Sequence, residues 1–134
     1  MIATIPLLII PLAIYNILAF ITPGYAWANV LFSVPMVSGV SWDVTLSDVF
    51  IVLSLAFLFF EIVKATSAST RSIIDHMLST LVFVVALVEF LLVGAAATST
   101  FAILLALMLL DIVAGYSVSI RVARRDFAIE PRPE

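Results

Sequence analysis

Three carboxylates interrupt long apolar runs: Glu61, Glu89 and Asp111. An ionisable side chain inside a hydrophobic span is costly, and it raises a functional question wherever it occurs. Each shares a helical face with small or polar residues. Ser47, Ser54 and Glu61 recur every seven positions, as do Asp75, Val82, Glu89 and Ala96, while Asp111, Gly115 and Ser119 recur every four. Those faces are expected to turn inward, toward one another or toward a protein neighbour. Counted from the cytoplasmic ends of their spans, Glu61 lies about 7 Å deep, Asp111 about 13 Å and Glu89 about 18 Å, a staggered set across mid-bilayer. Asn16 reaches about 21 Å, level with Glu89. Asn16 and the adjacent Tyr15 can satisfy carbonyls freed by Pro6 and Pro11 or bond a protonated carboxyl.

Three chemistries are open to these acids. They can be neutral, hydrogen-bonded packing groups, because burial disfavours the charged form. They can form a proton or cation path. They can meet a basic group on a partner helix. Glu61 has a local partner in Lys64, one turn on, which can pair with it while snorkelling outward. Asp75 and His76 open the third apolar run at the interface. Ser72-x-x-Asp75 reads as a variant capping box, with Asp75 favourable at the positive end of the helix dipole, and a proton switch is the alternative role for the pair.

Little else in the chain can do chemistry. With no cysteine and one histidine, a thiolate site, a multi-histidine metal site or a bis-histidine haem within one chain is excluded. No dinucleotide fingerprint, P-loop, nucleophile elbow or zincin motif is present. Six Lys and Arg against nine Asp and Glu leave no footprint for nucleic acid. The expectation is a protein that is not an enzyme and has no cofactor.

The elements that must position these acids are membrane spans. The 134 residues are 64% hydrophobic and 11% charged, far from the roughly 45–50% apolar and 25% charged of soluble domains. A hydrocarbon core about 30 Å thick takes about 20 apolar helical residues, and four runs qualify: 2–22, 49–66, 77–97 and 101–120. The first is expected to be a retained helix rather than a signal peptide. No Lys or Arg precedes it, and it is longer than a signal h-region, although Ala26-Trp27-Ala28 resembles a cleavage site. The last two, joined by Thr98–Thr100, form an antiparallel hairpin. Lys64 and Arg71 flank the loop between the second and third runs; Arg121, Arg124, Arg125 and Arg132 follow the fourth; segment 23–48 has none. The positive-inside rule places both termini in the cytoplasm and segment 23–48 outside. Arg121, Arg124 and Arg125 then anchor the fourth span among anionic head groups. The Pro131 and Pro133 end of the cytoplasmic tail 121–134 is expected to be disordered.

The outer segment alternates. Val40, Trp42, Val44 and Leu46 interleave with Ser41, Asp43, Thr45 and Ser47, and Phe32, Val34 and Met36 repeat the pattern more weakly. With Ser38-Gly39 as the turn, this predicts a short β-hairpin on the outer surface, preceded by a short interfacial helix over 25–32. Tyr25, Trp27 and Trp42 suit the membrane–water interface. The hairpin is expected to be either an apolar cap over the bundle or a docking surface or pore lid. Ala102-x-x-x-Ala106 and Gly115-x-x-x-Ser119 offer close helix packing.

Phe32-Ser33-Val34-Pro35, Ser41-Trp42-Asp43, the run Phe60–Thr66, Ile74-Asp75-His76, Val88–Leu91 and Ala114-Gly115 through Asp126 together resemble a family of small four-helix integral membrane proteins from proteobacteria, over residues 30–128. The resemblance implies a fold and an origin and carries no catalytic or binding residue across. The expected fold is an all-α, single-domain, four-helix transmembrane bundle with a short β-hairpin between its first two helices, in a bacterial inner membrane. Its partners are lipid and either further copies or other membrane subunits. The expected role is structural or accessory; the alternative is a pore-forming or ion- or proton-conducting oligomer, including a holin-like one; a membrane enzyme is the least favoured.

Overall fold

A computed structural model describes residues 5–21, 27–66 and 70–129, except the side chains of 70–72, 122, 123 and 125–129. The chain is mostly helical: α1 (Ile9–Phe20), α2 (Leu46–Lys64), α3 (Thr70–Leu92) and α4 (Ser99–Ile129), with a two-stranded antiparallel sheet of β1 (Val30–Pro35) and β2 (Ser41–Thr45) between α1 and α2. Three helices are long and apolar enough to cross a membrane, over Leu46–Lys64, Ile73–Leu92 and Ser99–Arg121. The 12 residues of α1 make a helix of about 18 Å, shorter than a hydrocarbon core.

The helix ends differ from expectation for local reasons. Among the described residues, the first apolar run is helical from Ile9. Pro11, in the first turn, has no N–H to give, so it adds no unsatisfied donor and makes no mid-helix kink. The chain before it runs through two tight turns, Ile9 N to Pro6 O and Ile10 N to Leu7 O. Helix α2 starts three residues early, at Leu46, because Thr45 and Asp48 form a reciprocal capping box: Thr45 Oγ1 accepts from Asp48 N at 3.2 Å and Asp48 Oδ2 from Thr45 N at 2.9 Å. Helix α3 starts at Thr70 rather than at residue 77 and ends at Leu92 rather than at residue 97. Val93 turns extended and a 3-10 turn, Gly94–Ala96, leads toward α4. The expected Thr98–Thr100 turn is instead the start of α4, where Thr98 Oγ1 accepts from Phe101 N. Beyond residue 120, where the span was expected to end, α4 continues to Ile129. No Gly or Pro interrupts 116–130, so much of the expected tail is helix. Residues 130–134 lie outside the described residues.

The hairpin forms as the alternation predicts. Its register pairs Phe32 with Val44, Ser33 with Asp43 and Val34 with Trp42. Met36 N bonds Val40 O and Gly39 N bonds Met36 O, closing a three-residue loop in which Gly39 holds a φ of 90° that other residues rarely adopt. No interfacial helix spans 27–32, because residues from Val30 onward belong to β1; residues 25 and 26 lie outside the described residues.

Helix α4 packs against both α2 and α3, and the core forms between them and the inner face of α1: Leu8, Leu12 and Tyr15 meet Phe50, Leu58, Ala86, Phe101, Leu104 and Met108. The opposite faces carry exposed Val52, Phe59, Leu81, Val85, Leu110 and Val113.

Candidate functional site

The buried ionisable groups gather at one end of the bundle. Glu61 at the end of α2, Asp75 in the second turn of α3 and Asp111 in mid-α4 are each at most 3% exposed. Lys64 joins two of them. Its Nζ donates to Glu61 Oε1 at 3.0 Å, to Asp75 Oδ1 at 3.4 Å and to Ile5 O at 2.9 Å, so its three hydrogens have three acceptors. Lys64 thus pairs with Glu61 one turn back, with its side chain 21% exposed. The same Glu61 oxygen accepts from Leu7 N at 2.6 Å. The last helical residues of α2 thus satisfy the backbone of the non-helical segment before α1. Backbone groups without such partners are very costly at membrane depth.

Asp111 stands behind this pair of bridges, with Glu61, Asp75 and Lys64 as its charged neighbours. Ser79 lies against it, yet the buried Ser79 Oγ falls short of hydrogen-bonding geometry to any described group. Three carboxylates therefore face one ammonium. Asp75 does not cap α3, whose first residue lies five positions earlier; its partner is Lys64.

His76, 3% exposed, ties three helices together. Its Nε2 lies 2.8 Å from Ser119 Oγ, and Ser119 Oγ donates to Ala65 O at 3.0 Å. A hydroxyl has one hydrogen, and this one goes to a carbonyl, so Nε2 must be protonated and must donate to Ser119. The bridge occupies a carbonyl just past the end of α2 that helix geometry leaves open. Gly115 makes room for the ring: a Cβ there would stand 2.9 Å from His76 Cε1 and 3.0 Å from Nδ1. The small-residue spacing Gly115/Ser119 is thus used inside the chain, while Ala106 lies on an outer face. Gly115→Ala gains about 1 kcal/mol of helix propensity but forces the ring off Ser119. With an overpacking cost of about 1–3 kcal/mol and about 1 kcal/mol for the lost Ser119 hydrogen bond, the expected net result is a loss of about 1–3 kcal/mol, read as a shift in the unfolding midpoint in mixed micelles. A variant as stable as the parent would show that the imidazole moves freely.

The other end carries the second polar level. Glu89 is the fourth residue from the end of α3 and is half-buried. Asn16, the fifth residue from the end of α1, donates Nδ2 to Leu12 O at 3.0 Å and to Glu89 Oε2 at 3.4 Å. Asn16 and Glu89 thus form a second polar pair, apart from the group of Glu61, Asp75 and Asp111. Tyr15, fully buried, hydrogen-bonds through its hydroxyl to Ala95 O at 2.8 Å and Thr98 Oγ1 at 2.7 Å. Trp27 stacks on Tyr15 with centroids 4.7 Å apart, so it packs on the bundle, whereas Trp42 is 52% exposed. Ser47 Oγ and Thr100 Oγ1, 2.7 Å apart, link α2 and α4 at the same end. Arg121 and Arg124 are exposed near the end of α4, and the Arg125 side chain lies outside the described residues.

Among the described residues, no three His, Asp or Glu side chains are grouped to hold a metal ion. No protein-family model, curated protein or solved structure matches the chain. The arrangement itself binds backbone: it fastens the start of α1, the end of α2 and the flanks of α3 and α4 into one knot.

Proposed function

We propose that this chain is a small, non-enzymatic integral membrane protein, acting as a structural or accessory subunit or as a self-associating bundle. In this reading it crosses a bacterial inner membrane four times with both termini in the cytoplasm. The first crossing comprises α1 and the turns before it. The observation that carries the reading is where Glu61 and Lys64 spend their polar atoms: on Leu7 N and Ile5 O of the same chain. Groups used to complete the chain's own backbone are committed to holding the bundle. The described cations support the orientation. Lys64 adjoins Ala65, whose carbonyl meets Ser119, two residues before Arg121, so Lys64 and Arg121 belong to one end.

A conducting oligomer is the second reading, and one observation favours it: three buried carboxylates face one lysine, beside an unpartnered Ser79 hydroxyl. The test is ion flux in liposomes together with stability, for the parent, Glu89→Gln and Asp111→Asn. The structural reading expects flux no greater than in empty liposomes. Parental flux that disappears in both variants at unchanged stability would overturn it, and lethal permeabilisation on expression would point to a holin-like pore.

A further inference from the structure

The β-hairpin is two-faced. The register puts Phe32, Val34, Trp42 and Val44 on one side, and Ser33, Pro35, Ser41 and Asp43 on the other, where Ser33 Oγ donates to Asp43 Oδ1. Met36 and Val40, next to the turn, extend the first face, and Val37 at the tip is fully exposed. Of this apolar face only Val44 is buried; Phe32, Trp42 and Val40 are more than half exposed. No charged residue occurs from Val30 through Trp42. A two-stranded hairpin is marginal in water, and an apolar face of this size marks a surface that something covers.

What covers it follows from where the face leads. A groove of about 180 Å³ lies between the hairpin and α2, lined by Trp42, Val44, Asp48, Val49 and Val52. The Asp48 carboxylate is held by Thr45 N, at the helix start. The groove therefore opens onto Val49 and Val52, which belong to the exposed apolar side of α2. Val52 is six residues past Leu46, about 9 Å along the helix axis. The indole of Trp42 thus lies beside the first turns of a helix long enough to span, not beyond its end. The hairpin's apolar face and the outward face of α2 form one continuous surface, and a single apolar medium must cover both.

We propose that the hairpin lies in the outer membrane–water interface with its Phe32–Trp42 face among the acyl chains of outer-leaflet lipids and its Ser41–Asp43 face toward water, a lipid chain filling the groove beside Trp42. This rests on the proposed membrane reading and adds to it a lipid-embedded β-element. The carboxylate of Asp43, on the wet side, orients the face, and Trp42 sits at the depth its amphipathic ring prefers.

The absence of native cysteine allows the test in the full-length chain, by spin labels at Val40→Cys, Ser41→Cys and Phe59→Cys in liposomes. Collision with oxygen, which concentrates in lipid, is compared with collision with a water-soluble nickel chelate. Residues 40 and 41 are neighbours on opposite faces, and all three positions are exposed, so the labels displace little packing. The expected result is an oxygen-to-nickel ratio severalfold higher at 40 than at 41, and high at 59 on the outer face of α2. Equal nickel access at 40 and 41 with a lipid-like value at 59 overturns the hairpin placement alone. Nickel access at 59 as well overturns the membrane reading together with it. Shielding of 40 from both reagents, with spin–spin broadening between copies, overturns lipid as the occupant in favour of a second chain.

Discussion

Lys64→Met is expected to destabilise the bundle by about 3–5 kcal/mol, the range for removing one partner of a buried ion pair. The ammonium is the cationic partner of Glu61 and Asp75, both at most 2% exposed, and Asp111 lies behind them. A methionine fills similar space, so packing changes little and the loss reports on charge and hydrogen bonding. Two carboxylates then lack a cation, and Ile5 O lacks a donor in a segment without helical bonds of its own. Exposed ion pairs contribute about 0–1 kcal/mol and weaken with salt; here the carboxylates are buried and the Lys64 side chain is 21% exposed, so the loss should depend on ionic strength less than that of a surface pair. Adding Glu61→Gln removes one stranded charge while keeping an acceptor for Leu7 N. The double variant should therefore regain part of the loss, with a coupling of about 0.5–3 kcal/mol between the two positions. Unfolding by SDS in mixed micelles measures all of this. A single-variant loss below about 1 kcal/mol would mean that water reaches the cluster and that the pair behaves as a surface pair.

How legible this was varied by element, and the reasons are physical. The stripe Ser47, Ser54, Glu61 points inward as its spacing requires, because a helix face is a periodic property of side chains. The faces of the hairpin were likewise readable from alternation, although its loop, 37–39, is one residue longer than the expected Ser38-Gly39 turn. The partners of Glu61 and Lys64 were not, because they are a backbone N–H and a backbone carbonyl, and any residue at positions 5 and 7 other than proline at the latter would offer the same groups. The early start of α2 had a visible signal in Thr45-x-x-Asp48, but the alternation running through Leu46 read as strand. The end of α3 was not legible either. Val93 gives no breaker signal, and Gly94 reads equally as a small packing residue. The fit of His76 to Gly115 joins residues on two helices whose rotation no single-helix pattern specifies.

Tyr15→Ala is expected to cost about 3–5 kcal/mol, the range for emptying a large aromatic site. Its ring meets Trp27, Phe50 and Phe101, with centroids 4.7, 6.0 and 4.8 Å away, and no part of the residue is exposed. Its hydroxyl gives its hydrogen to Ala95 O, so the contact with Thr98 must be donated by Thr98 Oγ1. Two roles are thereby combined in one side chain, and Tyr15→Phe separates them. Phenylalanine keeps the aromatic contacts and removes the bond to Ala95 O, whose residue is exposed and can be rehydrated, a loss of about 0.5–1.5 kcal/mol for one hydrogen bond. The larger variant should also release Trp27, which stacks on Tyr15 and whose carbonyl accepts from Ser47 N at the start of α2. In a Trp42→Phe background the remaining indole then reports directly: its emission should shift to the red with alanine and stay in place with phenylalanine. If both variants lose equally, the hydroxyl bonds rather than the ring hold α1 to the turn between α3 and α4, and the aromatic cluster is only a filling. If alanine shifts the emission without loss of stability, α1 is held by its other end alone, through Leu7 and Ile5 on Glu61 and Lys64.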